Sequence, residues 1–312
     1  MIWYALASYD NGHGPRPALV LDDQLYDAAA AARACGMEQQ PQLAAFLNST
    51  QLAIADWPHS AGAIAALARQ VQELAAAGAL HALPAQSYRL CTPYRPGRIF
   101  GAASNYVEHA KEMGTKLAPR TESAPYVFMK ADTSVLATEE DVVKPAHTAK
   151  LDWEVELGVV IGRECRNVGV EEAYEVIAGY TVFNDISARD LNRRSDYPFT
   201  HDWFRGKSFD TFGPMGPWLV PRDCIAAPQN LRMRLTVNDE TMQDDTTEGM
   251  IFNIAEQIAY LSSMLTLKPG DLIATGTPTG VGMARGRFLQ PGDVMMASIE
   301  QIGSIRNRVV AG

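Results

Sequence analysis

Residues 152–161 read Asp-Trp-Glu-Val-Glu-Leu-Gly-Val-Val-Ile, and no other stretch restricts the fold of this chain as much. Side chains change face at every residue of a strand, so Asp152, Glu154 and Glu156 share one face while Trp153, Val155 and Leu157 share the other. One face is acidic and one is apolar. If the acidic face is interior, adjacent carboxylates repel and their unpaired burial costs several kcal/mol, on the order of 2–7 each, which a bound cation would offset. The other outcome for such a pattern is a solvated edge strand.

The rest of the chain has the composition of a soluble enzyme. Of its 312 residues 47% are hydrophobic and 20% charged, which excludes long disorder and leaves room for about two domains. Lys plus Arg number 27 against 36 Asp plus Glu, a net charge of -9 with no basic block, so nucleic acid is excluded as a partner and a cation or small molecule favoured. Cys35, Cys91, Cys165 and Cys224 form no CxxC pair and read as reduced core residues. There is no signal-like start and no apolar run of about 18 residues, so a cytoplasmic protein with no membrane partner is expected.

Residues 1–30 alternate as two strands, and Ile64, Leu67, Val71 and Leu74 mark an amphipathic helix that stops near Gly78. Pro84, Pro93 and Pro96 punctuate a segment without periodicity, which predicts an N-terminal α/β module over 1–90 and a catalytic domain over 91–312. Beyond it, strands are predicted at 98–102, 126–130, 152–161, 179–184, 231–237, 271–275 and 293–299, with helices near 104–113, 171–177 and 253–265. The few regular βαβ steps predict an α+β, mostly β class and not a dinucleotide-binding fold.

Asp185 ends the apolar run Gly179–Asn184, where it can complete a three-oxygen facet with Glu154 and Glu156, or serve only as a turn or helix cap. Such a facet suits Mg²⁺ or Mn²⁺, with Ca²⁺ admissible, and no His or Cys stands at zinc spacing. In Ser104–Gly114, with Ser104 or Asn105 as the cap, His109 and Glu112 fall on one helix face, a general base and its orienter or simply a surface pair. Lys207, in the aromatic loop Phe204–Asp210, and Lys130 offer cations for a carboxylate or an enolate oxygen. The loop Gly276–Gly282 offers backbone N–H groups and the Thr277 hydroxyl to a carboxylate, without the Gly-Lys-Ser/Thr of a phosphate loop. Gly280, Gly282 and Gly286 have the wrong spacing for a dinucleotide, so no nucleotide cofactor is expected. No Gly-x-Ser-x-Gly elbow supports a serine hydrolase, and His201 is a minor candidate among the remaining histidines.

In order, Ser104–His109, Trp153–Gly162, Asn184–Asp190, Gly206–Asp210 and Gly276–Gly282 resemble the blocks of the fumarylacetoacetate hydrolase family, over roughly residues 98–300. The resemblance implies a mixed β-roll domain, usually a homodimer, holding Mg²⁺ or Mn²⁺ through Glu154, Glu156 and Asp185. It implies a water-activating pair in His109 and Glu112, often on a lid, and oxygen stabilisation by Lys207. Arg189, Asn192 and Thr277 match positions near substrate, with Lys130 alongside. Asn105 replaces the fourth carboxylate of the eukaryotic fumarylacetoacetate hydrolases and favours the acylpyruvase-like branch; Asn192 replaces a common glutamine.

The chemistry so implied is hydrolysis of a C–C bond in a 2,4-dioxo acid, an acylpyruvate, a fumarylpyruvate-like acid or a diketo sugar acid, through a metal-stabilised enolate. Isomerisation or decarboxylation of hydroxymuconate-type or oxaloacetate-like acids is the alternative at the same facet. A non-catalytic metal- or ligand-binding protein is a third reading, opposed by the presence of His109, Glu112 and Lys207.

Overall fold

The computed structural model of the chain describes residues 2–114 and 116–312; Met1, at the start of the expected first strand region, and Thr115 lie outside them. The acidic strand sits near the middle of an eleven-stranded sheet. In spatial order its main path runs Gln24–Asp27, Pro15–Leu21, Ala5–Asp10, Gly213–Pro221, Ile177–Asn184, Val155–Ile161, Leu272–Ala274, Ile99–Ala103 and Tyr126–Lys130. Arg89–Cys91 joins Ala5–Asp10, and Val135–Leu136 joins Gly213–Pro221. A second sheet of five strands, Glu240–Thr246, Arg232–Val237, Val294–Ile299, Gly303–Ala311 and Val142–Lys144, packs against the first.

Burial explains the layering. Val155, Leu157 and Val159 point into a core shared with Met233, Leu235, Met295 and Ile299 of the smaller sheet. Val160, on the opposite face, packs with Phe183, Met215 and Leu219 beneath the helices Ala28–Ala34 and Trp57–Ala76. The α+β class stands. In Trp57–Ala76, Ile64, Leu67 and Val71 are buried, Leu74 is half-buried, and Gly78 takes a φ of +69° just past the stop.

Several elements depart from expectation. The start of the chain holds three strands, because Asp22 and Asp23 both take positive φ and turn Pro15–Leu21 back into Gln24–Asp27. The expected strand 152–161 is broken at Trp153 and Glu154, leaving Leu151–Asp152 paired with Ser187–Ala188 apart from Val155–Ile161. Residues 170–176 form a 3₁₀ helix, and Trp203–Lys207, expected as loop, is a short helix whose Asp202 accepts from the Arg205 N–H. The strands Ala5–Asp10, Arg89–Cys91 and Gly213–Pro221 pair across residue 90, so sheet and core run through the proline-punctuated segment. None of the described helices is long and apolar enough to cross a membrane.

Candidate active site

Glu154, Glu156 and Asp185 meet because neighbouring strands place their ends side by side. Val155 pairs with Asn184 and Glu156 with Phe183, which sets Glu154 beside Asp185. The Asp185 N–H donates to the Glu154 carbonyl at 2.9 Å, and the Glu154 N–H to the Asn184 side-chain oxygen at 3.0 Å. Each carboxylate offers an oxygen within 4.8 Å of the others, and all three are buried. The interior facet is therefore present with the three residues expected.

Asp152 does not belong to it. Its carboxylate is fully buried and accepts from the N–H groups of Trp153, Gly282 and Met283 and from Arg189 Nε at 2.8 Å. Arg189 Nη2 in turn donates to Glu154 Oε1 at 2.6 Å. The break at Trp153 and Glu154 removes the strict alternation that put Asp152 with the other two.

Lys207, at the end of the short helix, donates to Glu154 Oε2 at 2.6 Å and to Asp185, with its ammonium 4.8 Å from the Phe128 ring centre. Lys130 is directed at Asp185 (2.5 Å) and the Ile186 carbonyl (3.1 Å), and it stands behind Asp185 instead of in the cavity wall. Four carboxylates, counting Asp152, thus face three cations, Lys130, Arg189 and Lys207.

The shifts follow from burial and these partners. Burial alone would raise the Glu154 carboxyl, but Arg189 and Lys207 outweigh it and hold it below the usual range. Burial pushes the Glu156 carboxyl well up, and Asp185 and Glu154 push it further. Burial depresses Lys130 to about 8 although Asp185 opposes it, whereas Asp185 and Glu154 overcome burial at Lys207 and raise it.

His109 is buried in the short helix Val107–Glu112, and its Nδ1 lies 2.9 Å from Glu112 Oε1. Both Glu112 oxygens accept from the Gly280 N–H, at 3.1 and 3.0 Å. Nδ1 is thereby fixed, and Nε2 is the ring nitrogen left free among the described residues. The expected cap is corrected. Tyr106 is the N-cap residue and no side chain caps the helix, because Asn105 bonds the carbonyls of Phe252 and Thr275 and the Phe252 N–H instead.

The glycine loop holds the acidic strand from the other side. The Gly276 N–H donates to Glu156 Oε2 at 2.8 Å. Thr277 gives its hydroxyl proton to the Val155 carbonyl (2.9 Å) and accepts from Gln243 Nε2 (2.8 Å), so that hydroxyl is committed within the protein. Asn192 has a buried side-chain oxygen with no donor, pressed against Gly206. His109, Glu154, Glu156, Arg189, Asn192 and Lys207 all line a cavity of about 900 Å³, as do Thr277 and His201. Gln243 has a supporting part that sequence reasoning missed, Asp152 was expected on the facet and braces it instead, and the Gly276–Gly282 N–H groups, expected to meet a carboxylate, meet those of Glu156 and Glu112.

The site suits a hard divalent cation on its own terms. The donor set is three carboxylates, one carboxylate exceeds the local cations in charge, and Glu156 is the group whose ionised form lacks compensation.

The sequence model for the fumarylacetoacetate (FAA) hydrolase C-terminal region matches residues 98–310. A 2,4-didehydro-3-deoxy-L-rhamnonate hydrolase of Sphingomonas sp. (strain SKA58) is 44% identical over 216 residues, 68% of this chain and 73% of that protein. The mitochondrial oxaloacetate tautomerase FAHD2A of Homo sapiens is 39% identical over 243 residues, 77% of this chain and 75% of its own. Among solved structures, maleylpyruvate hydrolase from Sphingobium sp. SYK-6 in complex with manganese (II) ion and pyruvate superposes with a TM-score of 0.73 at 30% identity, covering 99% of both chains.

Proposed function

The chain belongs to the fumarylacetoacetate hydrolase family, and from that premise we propose that it is a metal-dependent hydrolase of a C–C bond in a 2,4-dioxo acid. The observation that carries the reading is His109, fixed through Nδ1 by Glu112, in the wall of the cavity that Glu154 and Glu156 of the carboxylate cluster also line. Mg²⁺ or Mn²⁺ held by Glu154, Glu156 and Asp185 would supply Lewis acidity toward the carboxylate and 2-oxo oxygens of the substrate.

The protein's own groups account for the proton movements. His109 Nε2 takes a proton from water as the water oxygen bonds to the distal carbonyl carbon, C4. Glu112 offsets the positive charge on the ring, and the Gly280 N–H keeps Glu112 in place. The C3–C4 bond then breaks, C4 leaves in a carboxylic acid, and C3 takes up the proton to complete pyruvate or a related 2-oxo acid. The Lys207 ammonium stabilises negative charge on the reacting oxygens while they carry it. Asn192, with its unpaired oxygen, contacts the substrate, while Arg189, Lys130 and Thr277 hold Glu154, Asp185 and the acidic strand.

A second reading, isomerase or tautomerase, is favoured by the 39% identity with an oxaloacetate tautomerase, since the same pair can move a proton between carbon and oxygen without adding water. The deciding experiment is mass analysis of products from acylpyruvates, oxaloacetate, a hydroxymuconate-type diene acid and a 2,4-diketo-3-deoxy sugar acid, with Mg²⁺ or Mn²⁺ and with EDTA. Metal-dependent gain of one water with cleavage supports the hydrolase. A mass-neutral shift or loss of CO₂, without cleavage, overturns it in favour of the isomerase or decarboxylase. A homodimer and a cytoplasmic location complete the proposal, supported by the exposed Tyr126 and Met129 on the sheet's edge strand and by four free cysteines.

A further inference from the structure

We infer that the outer end of the cavity is a carboxylate subsite formed by Lys150 and Arg193, so that the preferred substrate is a dioic acid with one carboxylate at the reacting end and another at its tail. This rests on the 2-oxo acid reading of the inner site. The other basic side chains of the wall are committed: Arg189 to Asp152 and Glu154, Lys207 to Glu154 and Asp185, His109 to Glu112, and His201 to the Thr200 hydroxyl. Among the described residues, Lys150 and Arg193 line the same cavity with no hydrogen-bonded or ion-paired side-chain partner. Lys150 has only the Phe288 ring, 5.8 Å from its ammonium. By contrast, the adjacent Arg194 is paired with both Asp196 and Asp202.

Both cations are exposed, whereas Glu154 and Glu156 on the acidic floor are buried. The Lys150 carbonyl accepts from the Arg189 N–H at 2.9 Å, one step from the guanidinium that holds Glu154, yet the Lys150 side chain is exposed. Arg193 follows the buried Asn192 and is also exposed. Asp190 is the acidic side chain of the wall besides Glu154 and Glu156, and its oxygens already accept from the Thr148 hydroxyl and the Ala149 N–H. A tail carboxylate finds two free cations there, whereas a methyl or polyol tail leaves both without an anion.

The test compares 2-oxoadipate with 2-oxohexanoate, which share a six-carbon chain and a 2-oxo acid head and differ only in the tail carboxylate. Neither has a 4-oxo group, so binding is measured by calorimetry with Mn²⁺ whether or not the protein is a hydrolase. The dioic acid should bind about tenfold more tightly, an advantage that shrinks at high salt because both cations are exposed. In the double variant Lys150→Gln, Arg193→Gln the ratio should fall toward one, with the melting temperature unchanged. Equal affinities, including no measurable binding of either acid, overturn the subsite, as does an advantage that survives the double substitution. Cleavage of a 2,4-dioxo acid by the same preparation reports separately: cleavage with a ratio near one removes the subsite alone, and a preserved ratio without cleavage removes the hydrolase reading alone.

Discussion

His109 and Glu112 divide one task, since the imidazole meets the water while the carboxylate fixes which nitrogen does so. His109→Ala should therefore lower kcat by about 10²- to 10⁴-fold while Mn²⁺ still raises the melting temperature. Glu112→Gln should give a smaller loss, because the ring keeps a hydrogen-bond partner but loses the charge that stabilises its protonated form. An unchanged kcat in His109→Ala would remove the pair from the mechanism. Glu156 tests the metal independently of turnover. Its carboxyl is raised by burial and by Asp185 and Glu154, so its ionised form weakens the metal-free protein: a folded pKa raised above the unfolded one favours the fold at low pH and loses that contribution as pH rises. Glu156→Gln should leave the metal-free protein at least as stable at neutral pH and abolish the rise in melting temperature with Mn²⁺. A retained rise would place the cation elsewhere. At this scale the Glu154/Glu156 alternation and the His109/Glu112 spacing were legible locally, whereas Asp185 meets Glu154 through strand pairing across some thirty residues and stood in the sequence as one of two alternatives until the resemblance was added. Asp152 was misread because the backbone break after it is imposed by Arg189 and the 282–283 N–H groups, which are distant in sequence.

The loop Gly276–Gly282 couples elements that the sequence keeps far apart. At Gly280 the N–H holds Glu112, and the carbonyl accepts from the Trp153 indole at 3.1 Å. A Cβ at Gly280 would lie 2.0 Å from the Met242 carbonyl oxygen, and its φ of +100° is a conformation that only glycine adopts readily. Gly280→Ala should displace the loop, cost roughly 1–3 kcal/mol in stability and lower kcat more than KM changes, since Glu112 loses its anchor while the carboxylate facet keeps Gly276. Thermal melts and steady-state kinetics check both; a wild-type kcat in the variant would show that the anchor has no part in orienting the pair. Other elements were hidden for physical reasons. Gly213–Pro221 is a fully buried strand, but its three prolines and two glycines read as a turn-rich loop. Trp203–Lys207 is five residues long, too short for a periodic stripe, and is stabilised by the Asp202 cap and the charges that capture Lys207.

The first ninety residues are built into the main sheet and its core more closely than their composition indicates. Ala5–Asp10 pairs with Gly213–Pro221, and the N-terminal helices cover Val160, Phe183, Met215, Leu219 and Leu272 on the face of the sheet opposite the smaller one. Proline punctuation near residue 90 marks a change in local structure, and such a signal is silent about pairing between strands some two hundred residues apart. If the sheet is one cooperative unit, a chain of residues 91–312 keeps all ten expected site residues but leaves a strand edge unpaired and a large apolar face open to water. That fragment should be insoluble, or soluble with native-like far-UV and lost near-UV circular dichroism, and Mn²⁺ should not sharpen its melt. A fragment that melts cooperatively and is stabilised by Mn²⁺ would make residues 1–90 a separable module. The distinction bears on catalysis, because Val160 on the covered face and Glu156 on the cavity share one strand, so loosening the cover loosens the facet it supports.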